Sequence, residues 1–329
     1  MASVSELRYL SAGDVVRCLP TLERQLELTE RALLALAQGD VQMPPKPFLQ
    51  PREGAFFHPM AAWLCKDDLL GMKWVCGYAS NQERGLPYIM GLIILSDPDT
   101  GQPLCVMDCT VVTALRTADV TGVALKRFAK SSDRRVTLVG AGTQGRSHLP
   151  VLTSCLDSPE LTVLDRWPDR AEAYVEWALE QPGVASARAE SSLKAAVAEA
   201  DVIITAGTAQ GVDGQFLTPD LLPDECLLIP IDWNLIVPPE TAVAASWLVV
   251  DDRSEFEYYR FQDAEENFRG FPAANETIGD AVARQASPES RPDGLVLVCP
   301  LGAAVVDVIL ASDIYERACE QRIGVTLPL

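Results

Sequence analysis

The sequence has no long hydrophobic run: its 329 residues contain no stretch of about 18 uninterrupted apolar residues, roughly the length that a membrane-spanning helix needs. Its first residues, MASVSELRYLSAGDVVRCL, also lack the basic start and following apolar run of a secretion signal. From these absences we expect a globular protein with no membrane partner and no visible export signal.

Histidines and paired cysteines are scarce. The two histidines are His58 and His148, and the nine cysteines include no CxxC pair, the nearest approach being CVMDC at 105–109. A zinc site of mixed cysteine and histidine ligands has no supporting spacing, so we expect no metal. Scattered cysteines in a chain without an export signal are typical of reduced thiols and favour a cytoplasmic location.

Positive charge is also in short supply. The chain has 27 Lys and Arg against 46 Asp and Glu, a formal net charge of −19. Because this charge repels polyanions, we expect no nucleic-acid partner and no binding to anionic membrane surfaces. The densest acidic stretch, DDRSEFEYYRFQDAEENF at 251–268, is interpreted as a solvated helical face that favours solubility.

The apolar residues, 48% of the chain, are enough for two domains or one large core. Helical spacing of leucines predicts a helix over 21–37, followed by the proline-rich turn MPPKPFLQP. The runs GAFFHPMAAWL, GMKWVCGY, YIMGLIILSD and LCVMD then have strand length, and DPDTGQP predicts a hairpin turn before the last of them. This region therefore predicts a mostly antiparallel sheet with helices.

A different pattern follows. TALRTADVTGVALKRFAK predicts a joining helix over 113–130, with Thr113 available as its N-cap. Apolar strands then alternate with helical patterns: RVTLVG, LTVLD, DVIITAG, CLLIPID, SWLVVDD and GLVLVC. Nearly continuous apolar strands are typical of parallel strands buried on both faces. The predicted fold class is α/β, a Rossmann-type doubly wound parallel sheet together with a mixed α+β domain.

A dinucleotide signature follows the strand RVTLVG, with GxGxxG at Gly140, Gly142 and Gly145. The first glycine permits a tight turn, the second lets a pyrophosphate approach the backbone, and the third lets the helix pack on the strand. Asp165 ends the next strand, 20 residues beyond Gly145, where an acid binds the ribose hydroxyls and favours NAD. The competing interpretation is a surface turn that is rich in glycine.

Other residues complete the predicted cofactor site. Arg166 could contact a 2′-phosphate, which keeps NADP open as an alternative. The loop TAGTAQG at 205–211 is expected to line the nicotinamide side through its backbone. The predicted cofactor-binding residues are Gly140, Gly142, Thr143, Gln144, Gly145, Asp165, Arg166, Thr205, Ala206 and Gly207.

Several stretches together resemble the ornithine cyclodeaminase and mu-crystallin family: RGLPYIMGLIILSDPDTGQP, TALRTADVTGVALKRFA, VGAGTQGRSHL and LGAAVVDVILASDIYERACEQRIG. The resemblance extends over residues 40 to 325, in the family's order. It implies a homodimer with two domains per subunit. The substrate-binding and dimerisation domain would be 1–115, completed by 303–329, and the NAD(P)-binding Rossmann domain would be 116–302.

The resemblance also implies catalytic and substrate-binding residues. Lys73 falls on the family's strand lysine, which binds the substrate carboxylate and assists proton transfer. Arg116 falls on a second carboxylate ligand, and Asp232 on the acid that handles the amine or an attacking water. Lys46 stands where the family usually has an arginine, so the planar fork of a guanidinium is lost there.

Two further residues are predicted to contact the substrate. Trp233 follows Asp232, with Asn234 next to it, where the family tends to have small residues and a proline. We expect this large ring to reshape the pocket. His58 is a candidate for orienting the substrate, although a polar filler beside Pro59 is the favoured interpretation. Asp307 matches an acidic position in the family's tail and is interpreted as structural.

The other assignments have structural alternatives. Lys73 is equally compatible with an edge-strand lysine that blocks aggregation. Arg116 is compatible with a cation on a helix surface, and Asp232 with a helix N-cap or a turn. His148 is expected to be a packed or exposed residue of the Rossmann helix.

The predicted function is NAD(P)-dependent hydride transfer at the α-amine or imine carbon of an amino acid, as in amino acid dehydrogenases and imine or ketimine reductases. One alternative is an ornithine cyclodeaminase-like lyase, in which the hydride returns and ammonia leaves. A second is a binding protein of mu-crystallin type that holds NAD(P)H and a small ligand. Retention of Lys73, Arg116 and Asp232 favours catalysis over binding alone.

Overall fold

The computed structural model describes residues 6–207, 216–233, 235–261 and 268–329. The chain divides into two compact units. The first unit comprises residues 1–116 and 302–329, and the second comprises 117–301. These bounds lie within one residue of those predicted from the sequence. The roles predicted for the units, substrate binding with dimerisation and cofactor binding, stay predictions.

Strands and helices alternate along most of the chain. In chain order, the strands are β1 (Glu6–Leu10), β2 (Val41–Gln42), β3 (Ala55–Leu64), β4 (Leu69–Tyr78), β5 (Ile89–Ser96), β6 (Pro103–Asp108), β7 (Arg135–Val139), β8 (Glu160–Leu164), β9 (Ser186–Ala189), β10 (Val202–Thr205), β11 (Cys226–Pro230), β12 (Trp247–Val250), β13 (Glu276–Thr277), β14 (Leu295–Cys299) and β15 (Val325–Pro328). The helices are α1 (Ala12–Arg17), α2 (Leu22–Ala37), α3 (Thr110–Phe128), α4 (Thr143–Cys155), α5 (Pro168–Leu179), α6 (Leu193–Val197), α7 (Pro239–Ala244), α8 (Arg253–Phe261), α9 (Ile278–Ala283) and α10 (Ala304–Gln321). Within the described ranges, no helix is long and apolar enough to cross a membrane.

The first unit contains a mixed sheet in the order β15-β1-β6-β5-β4-β3-β2. Its neighbours run antiparallel except β1 and β6, which are parallel. The four strands predicted between residues 55 and 108 are confirmed, as is the mostly antiparallel pairing. The sequence does not predict β1, β2 and β15, because they are short and β1 pairs with a strand more than 300 residues away.

Strand β4 is an interior strand of this sheet, paired along its length with β3 and β5. The alternation of GMKWVCGY places Gly71, Lys73 and Val75 on the buried face and Trp74 on the exposed one. Helix α10 packs on the buried face so closely that a Cβ at Gly71 would lie 3.2 Å from the side chain of Val308. The edge-strand interpretation of Lys73 is therefore wrong.

The second unit contains a parallel sheet in the order β13-β12-β14-β11-β10-β7-β8-β9. The residues of β10, β11 and β14 are all buried, as expected for strands covered on both faces. The strand order reverses between β7 and β10, and ligands of such sheets bind beyond the carboxyl ends of the strands at that point. The predicted α/β fold class is confirmed.

Helix α3 begins at Thr110, three residues before the predicted start. The carboxylate of Asp108 accepts hydrogen bonds from the backbone nitrogen of Thr110 at 2.8 Å and from its hydroxyl at 3.2 Å. Thr113 lies inside the helix, and its backbone nitrogen donates to the carbonyl of Cys109. The prediction of Thr113 as N-cap is wrong, because Asp108 supplies a side-chain acceptor one turn earlier.

The acidic stretch at 251–268 is only partly a solvated face. Asp251, Asp252 and Glu255 are buried, at the end of β12 and the start of α8. Asp251 accepts hydrogen bonds from the backbone nitrogens of Asp252 and Leu301, at 3.0 and 2.8 Å. The solvated-face prediction is wrong for these three residues, which the fold buries where β12 meets α8. Residues 262–267 lie outside the described residues.

Candidate active site

The glycine-rich loop joins β7 to α4 in the second unit. Gly140 adopts a φ of +115°, and a Cβ there would lie 2.5 Å from the carbonyl oxygen of Ala206, so a side chain is excluded. A Cβ at Gly142 would meet nothing within 4 Å, and Gly142 caps α4 without a side-chain hydrogen bond. The helix therefore begins beside open space, with its first backbone N–H groups available to a phosphate.

Gly145 lets α4 lie close to the loop and strand. A Cβ at this position would be 2.4 Å from the carbonyl oxygen of Gly140 and 3.1 Å from the side chain of Leu138. The carbonyl of Gly145 itself accepts a hydrogen bond from the buried Tyr174 hydroxyl at 2.9 Å. Thr143 is exposed in the first turn of α4 and Gln144 is half-buried. All three glycines thus have the steric environment that the GxGxxG pattern requires.

His148 is fully buried in α4, and its ring connects this helix to α3. One ring nitrogen is 2.7 Å from the carbonyl oxygen of Gln144, and the other is 3.0 Å from the hydroxyl of Thr121 on α3. Burial lowers the pKa of His148 to about 4, so the ring is neutral at physiological pH. This neutral ring matches the packed role expected from the sequence.

Asp165 follows β8 and holds the glycine-rich loop. Its carboxylate accepts hydrogen bonds from the backbone nitrogens of Ala141 at 2.8 Å and Trp167 at 3.0 Å. Arg166 is exposed, with its guanidinium carbon 5.5 Å from the ring centre of Trp167, and Arg170 is 4.2 Å from the same ring. Asp165, the predicted ribose ligand, therefore also fixes the glycine-rich loop. Arg166 and Arg170 both lie beside the ring of Trp167.

Asp232 follows β11 and is tied to the end of β10. The hydroxyl of Thr205 donates to Oδ1 at 2.7 Å, and the backbone nitrogen of Gly207 donates to Oδ2 at 2.9 Å. Burial raises the pKa of Asp232 to about 6, although both hydrogen bonds act in the opposite direction. A carboxylate with this pKa can exchange protons near neutral pH. The predicted segment from Thr205 to Gly207 thus contacts both Asp232 and Gly140.

Trp233 adopts a left-handed φ of +65°, which is uncommon for a residue with a large side chain. Its ring packs against Tyr259 and Phe268, with centres 4.9 and 5.9 Å away. The indole is thus held by the aromatic core of the second unit, which fixes the backbone beside Asp232. Its contact with a substrate stays a prediction, and Asn234 lies outside the described residues.

In the first unit, Lys73 and Arg116 meet on one carboxylate. Lys73 Nζ donates to Asp307 Oδ1 at 2.8 Å, and Arg116 Nε lies 3.1 Å from the same oxygen. Lys73 and Asp307 are 0% exposed, and Arg116 is 9% exposed. Burial lowers the pKa of Lys73 to about 8, Arg116 acts in the same direction, and Asp307 opposes them. Arg116 is therefore buried and is not a helix-surface cation.

Lys46 and His58 lie in the same unit. Lys46 is buried, and its Nζ donates to the carbonyl oxygen of Gly302 at 3.3 Å. His58 Nδ1 is 2.9 Å from the carbonyl oxygen of Pro47, next to Lys46 in the chain. Burial, followed by Lys46, lowers the pKa of His58 to about 4, so the ring is neutral. The bond to Pro47 fixes the ring against the segment that carries Lys46, in keeping with the filling role favoured from the sequence.

Gly302 connects these groups. Its φ is +95°, and a Cβ there would lie 2.8 Å from the Nη1 atom of Arg116. The same residue supplies the carbonyl that binds Lys46. Gly302 therefore constrains the surroundings of Arg116 and Lys46, which the sequence does not predict, because a single glycine before a helix is common.

Asp307 is the second residue that sequence reasoning under-rated. It lies in the first turn of α10, where a carboxylate is favoured by the helix dipole. The available signal is one acid within the apolar run AAVVDVILA, since a carboxylate buried in such a segment requires a cation. Among the described residues, no group of three His, Cys, Asp or Glu side chains could hold a metal ion.

Comparisons with known proteins agree on one family. The family model for "Ornithine cyclodeaminase/mu-crystallin family" matches residues 9–224. The nodulation efficiency protein NfeD of Rhizobium meliloti is 29% identical over 325 residues, 98% of each chain. The alanine dehydrogenase of Archaeoglobus fulgidus is 27% identical over 328 residues, 94% of this chain and 95% of its own. An archaeal alanine dehydrogenase dimer with bound NAD superposes with a TM-score of 0.84 at 26% identity, covering 99% of this chain and 100% of its own.

Proposed function

The chain belongs to the ornithine cyclodeaminase/mu-crystallin family, and from this premise we propose that it is an NAD-dependent enzyme that transfers a hydride at the α-amine or imine carbon of an amino acid. The family resemblance seen in the sequence is confirmed by the match over residues 9–224. Alanine dehydrogenase of Archaeoglobus fulgidus and the NAD-bound archaeal alanine dehydrogenase dimer support the class of reaction and the cofactor.

One observation carries the proposal: two buried cations share a single carboxylate oxygen in the first unit. Lys73 and Arg116 bring two positive charges, and Asp307 brings one negative charge, so one net positive charge stays buried. A buried charge is costly unless a partner compensates for it. The α-carboxylate of an amino acid has the charge and the lone pairs for that role.

The residues of the second unit fit a dinucleotide. Gly140 is restricted to glycine by Ala206, while the space at Gly142 stays open at the start of a 13-residue helix. Asp165 has a carboxylate at the end of β8, where a ribose is bound in Rossmann folds. In this proposal the loop holds the pyrophosphate and Asp165 the ribose. Bound NAD would supply the hydride acceptor.

The chain's own residues handle charge and protons. Lys73 and Arg116 bind the substrate carboxylate and fix the orientation of the α-carbon. Oxidation of the amino acid would transfer the α-hydrogen as a hydride to bound NAD and leave a C=N bond, and the Asp232 carboxylate would take the proton that the amine releases. In the reductive direction Asp232 returns this proton to the nitrogen. A pKa of about 6 suits both directions near neutral pH.

We also propose a homodimer formed through the outer face of the first unit's sheet. Trp74, Met90 and Leu92 are exposed large apolar side chains on β4 and β5, and Trp74 lies directly opposite Leu92 in the sheet register. Contiguous apolar patches of this kind mark interaction surfaces.

Nine free cysteines are consistent with a reducing location, and we propose that the protein acts in the cytoplasm.

The test of the function is a substrate panel. Purified protein is incubated with NAD or NADP and a series of L-amino acids, and in the reverse direction with NADH and cyclic or acyclic imines. Absorbance of the reduced cofactor and product mass are followed together. Net formation or consumption of NADH is the expected result.

Other outcomes would contradict the proposal. Loss of ammonia from a diamino acid without net NADH would mark a cyclodeaminase. Tight NADH binding without conversion of any substrate would mark a binding protein. A preference for NADP would correct the cofactor assignment and would point to Arg166.

A further inference from the structure

Asp307 occupies an unusual position for a structural carboxylate. One of its oxygens, Oδ1, is shared by Lys73 and Arg116, which come from β4 and α3. Its other oxygen, Oδ2, is buried and has no hydrogen-bond partner among the described residues. All of its described polar contacts are thus to the two cations proposed to bind the substrate carboxylate.

The charge balance shows what this carboxylate does to Lys73. Burial and the neighbouring guanidinium of Arg116 both lower the pKa of Lys73, while Asp307 raises it through its charge and its hydrogen bond. Without Asp307, two cations would face each other in a buried environment with no carboxylate between them. Loss of the proton from Lys73 would remove this repulsion at the lowest free-energy cost, because the guanidinium of Arg116 stays protonated.

We propose that Asp307 is a positioning residue for the substrate-carboxylate site, an internal counter-ion that keeps Lys73 charged at neutral pH and holds it beside Arg116. The assignment rests on the proposed function, since it takes Lys73 and Arg116 as the ligands of the substrate carboxylate. Asp307 itself does not contact the reacting atoms.

Other titratable groups also face Lys73, and each is accounted for. Cys109 precedes α3, and burial raises the pKa of its thiol to about 11, so it stays protonated in the neutral range. His58 is neutral in that range. The groups that interact electrostatically with Lys73 are His58, Cys109, Arg116 and Asp307, and His58 also interacts with Lys46. Asp307 is therefore the one carboxylate in this described set.

The first experiment needs no substrate. The free energy of unfolding is measured between pH 6 and 9 for the wild type, Asp307→Asn, Lys73→Met and the double variant. In the folded protein Asp307→Asn lowers the pKa of Lys73 below its wild-type value, so the loss of stability is largest near pH 6 and shrinks as pH rises towards 8. In the Lys73→Met background the same substitution should have no pH-dependent effect.

The second experiment measures KM against pH with the best amino acid or imine of the panel. In the wild type, KM should be flat below about pH 8 and rise about tenfold for each pH unit above it, because only the charged amine binds a carboxylate. In Asp307→Asn the rise should begin at lower pH while the cofactor affinity is unchanged. Asp313→Asn on the same helix is the control, because Asp313 pairs instead with Arg24 and Arg317.

The outcomes separate the two proposals. A pH-independent effect of Asp307→Asn, or an equal effect in the Lys73→Met background, would overturn the counter-ion role. The expected stability profile with no substrate turned over would support that role and count against the proposed function. If Asp307→Asn does not fold, folding of the double variant would support the role, and failure of both to fold would overturn it.

Discussion

Lys73 Nζ lies 2.8 Å from Asp307 Oδ1, and both side chains are fully buried although they are 234 residues apart in the chain. The pair joins the sheet of the first unit to its C-terminal helix. A buried ion pair is weak evidence for stability, because desolvation offsets most of the attraction. Its position beside Arg116 therefore points to a binding role for the lysine rather than to a purely structural one.

Lys73→Met should weaken substrate binding. The variant keeps the volume of the stem and removes a charged hydrogen bond of roughly 1.5–3 kcal/mol, so KM should rise about 10- to 150-fold. The affinity for the cofactor, measured by fluorescence titration with NADH, should not change. Lys66→Met is the control, because Lys66 is exposed and pairs with Asp40. An unchanged KM in Lys73→Met would reject the assignment.

Asp232→Asn should abolish the decrease of kcat/KM at low pH. In the wild type kcat/KM should fall below about pH 6, where Asp232 becomes protonated and can no longer accept a proton. The variant should lose about 10²- to 10⁴-fold in kcat, the usual contribution of a general acid–base group. Asp220→Asn, at an exposed position of the same unit, serves as control. A wild-type acid limb that persists in Asp232→Asn would assign it to another group.

Local patterns explain why much of the fold is predictable. The parallel strands β7, β10 and β11 are mostly apolar, and the glycines of GxGxxG have the turn, the open space and the close contact that their positions require. Strands β9 and β13 are not predicted, because they are only four and two residues long and carry no apolar run.

The candidate site is less predictable, since its geometry depends on contacts between distant segments. The alternation of GMKWVCGY does not show which face of β4 is covered by α10. The sequence therefore does not predict that Lys73 pairs with Asp307. The same holds for Gly302, whose importance comes from Arg116, 186 residues earlier in the chain. The ring of Trp233 contacts Tyr259, a partner that nothing local in the sequence indicates, and its role in shaping the substrate pocket stays a prediction.

Gly302→Ala should disturb the site as well as the backbone. Alanine at a φ of +95° is strained, and its Cβ would meet the guanidinium of Arg116 at 2.8 Å. We expect a loss of about 1–3 kcal/mol in the free energy of unfolding together with a raised KM. Gly101→Ala is a matched control, because Gly101 has a φ of +73° and its Cβ would meet nothing within 4 Å.

The comparison isolates the contact with Arg116. The control should lose stability through backbone strain alone and keep the wild-type KM. Equal KM values in Gly302→Ala and Gly101→Ala would show that the position of Arg116 does not depend on Gly302.

Asp252→Asn should stabilise the protein at neutral pH. Burial, followed by the charges of Asp251 and Glu255, raises the pKa of Asp252 to about 6. Because the folded-state pKa lies above the unfolded value of 3.8, the folded protein binds the proton more tightly, and stability falls as pH rises through about 4 to 6. The asparagine removes this loss and can still accept the hydrogen bond from the backbone nitrogen of Ser254.

Urea unfolding at pH 5.0 and 7.5 measures this effect. The gain in the free energy of unfolding should be on the order of 1–3 kcal/mol at pH 7.5 and smaller at pH 5.0. Asp165→Asn is the contrasting variant, because both carboxylate oxygens of Asp165 accept bonds from backbone nitrogens, and an amide nitrogen in place of one oxygen should be destabilising. A gain for Asp252→Asn that does not depend on pH would exclude the titration of this carboxyl as its cause.

Trp74→Glu should dissociate the proposed homodimer. Trp74 is 50% exposed, on the face of β4 opposite Lys73, and it lies against Leu92 across the strands. A buried tryptophan at an interface contributes about 2 kcal/mol or more, so the dissociation constant should rise about 30-fold or more. Light scattering after gel filtration measures the mass, and Val243→Glu, at a 65% exposed site of the second unit, should keep the wild-type mass. If Trp74→Glu also has the mass of a dimer, the interface lies on another surface of the chain.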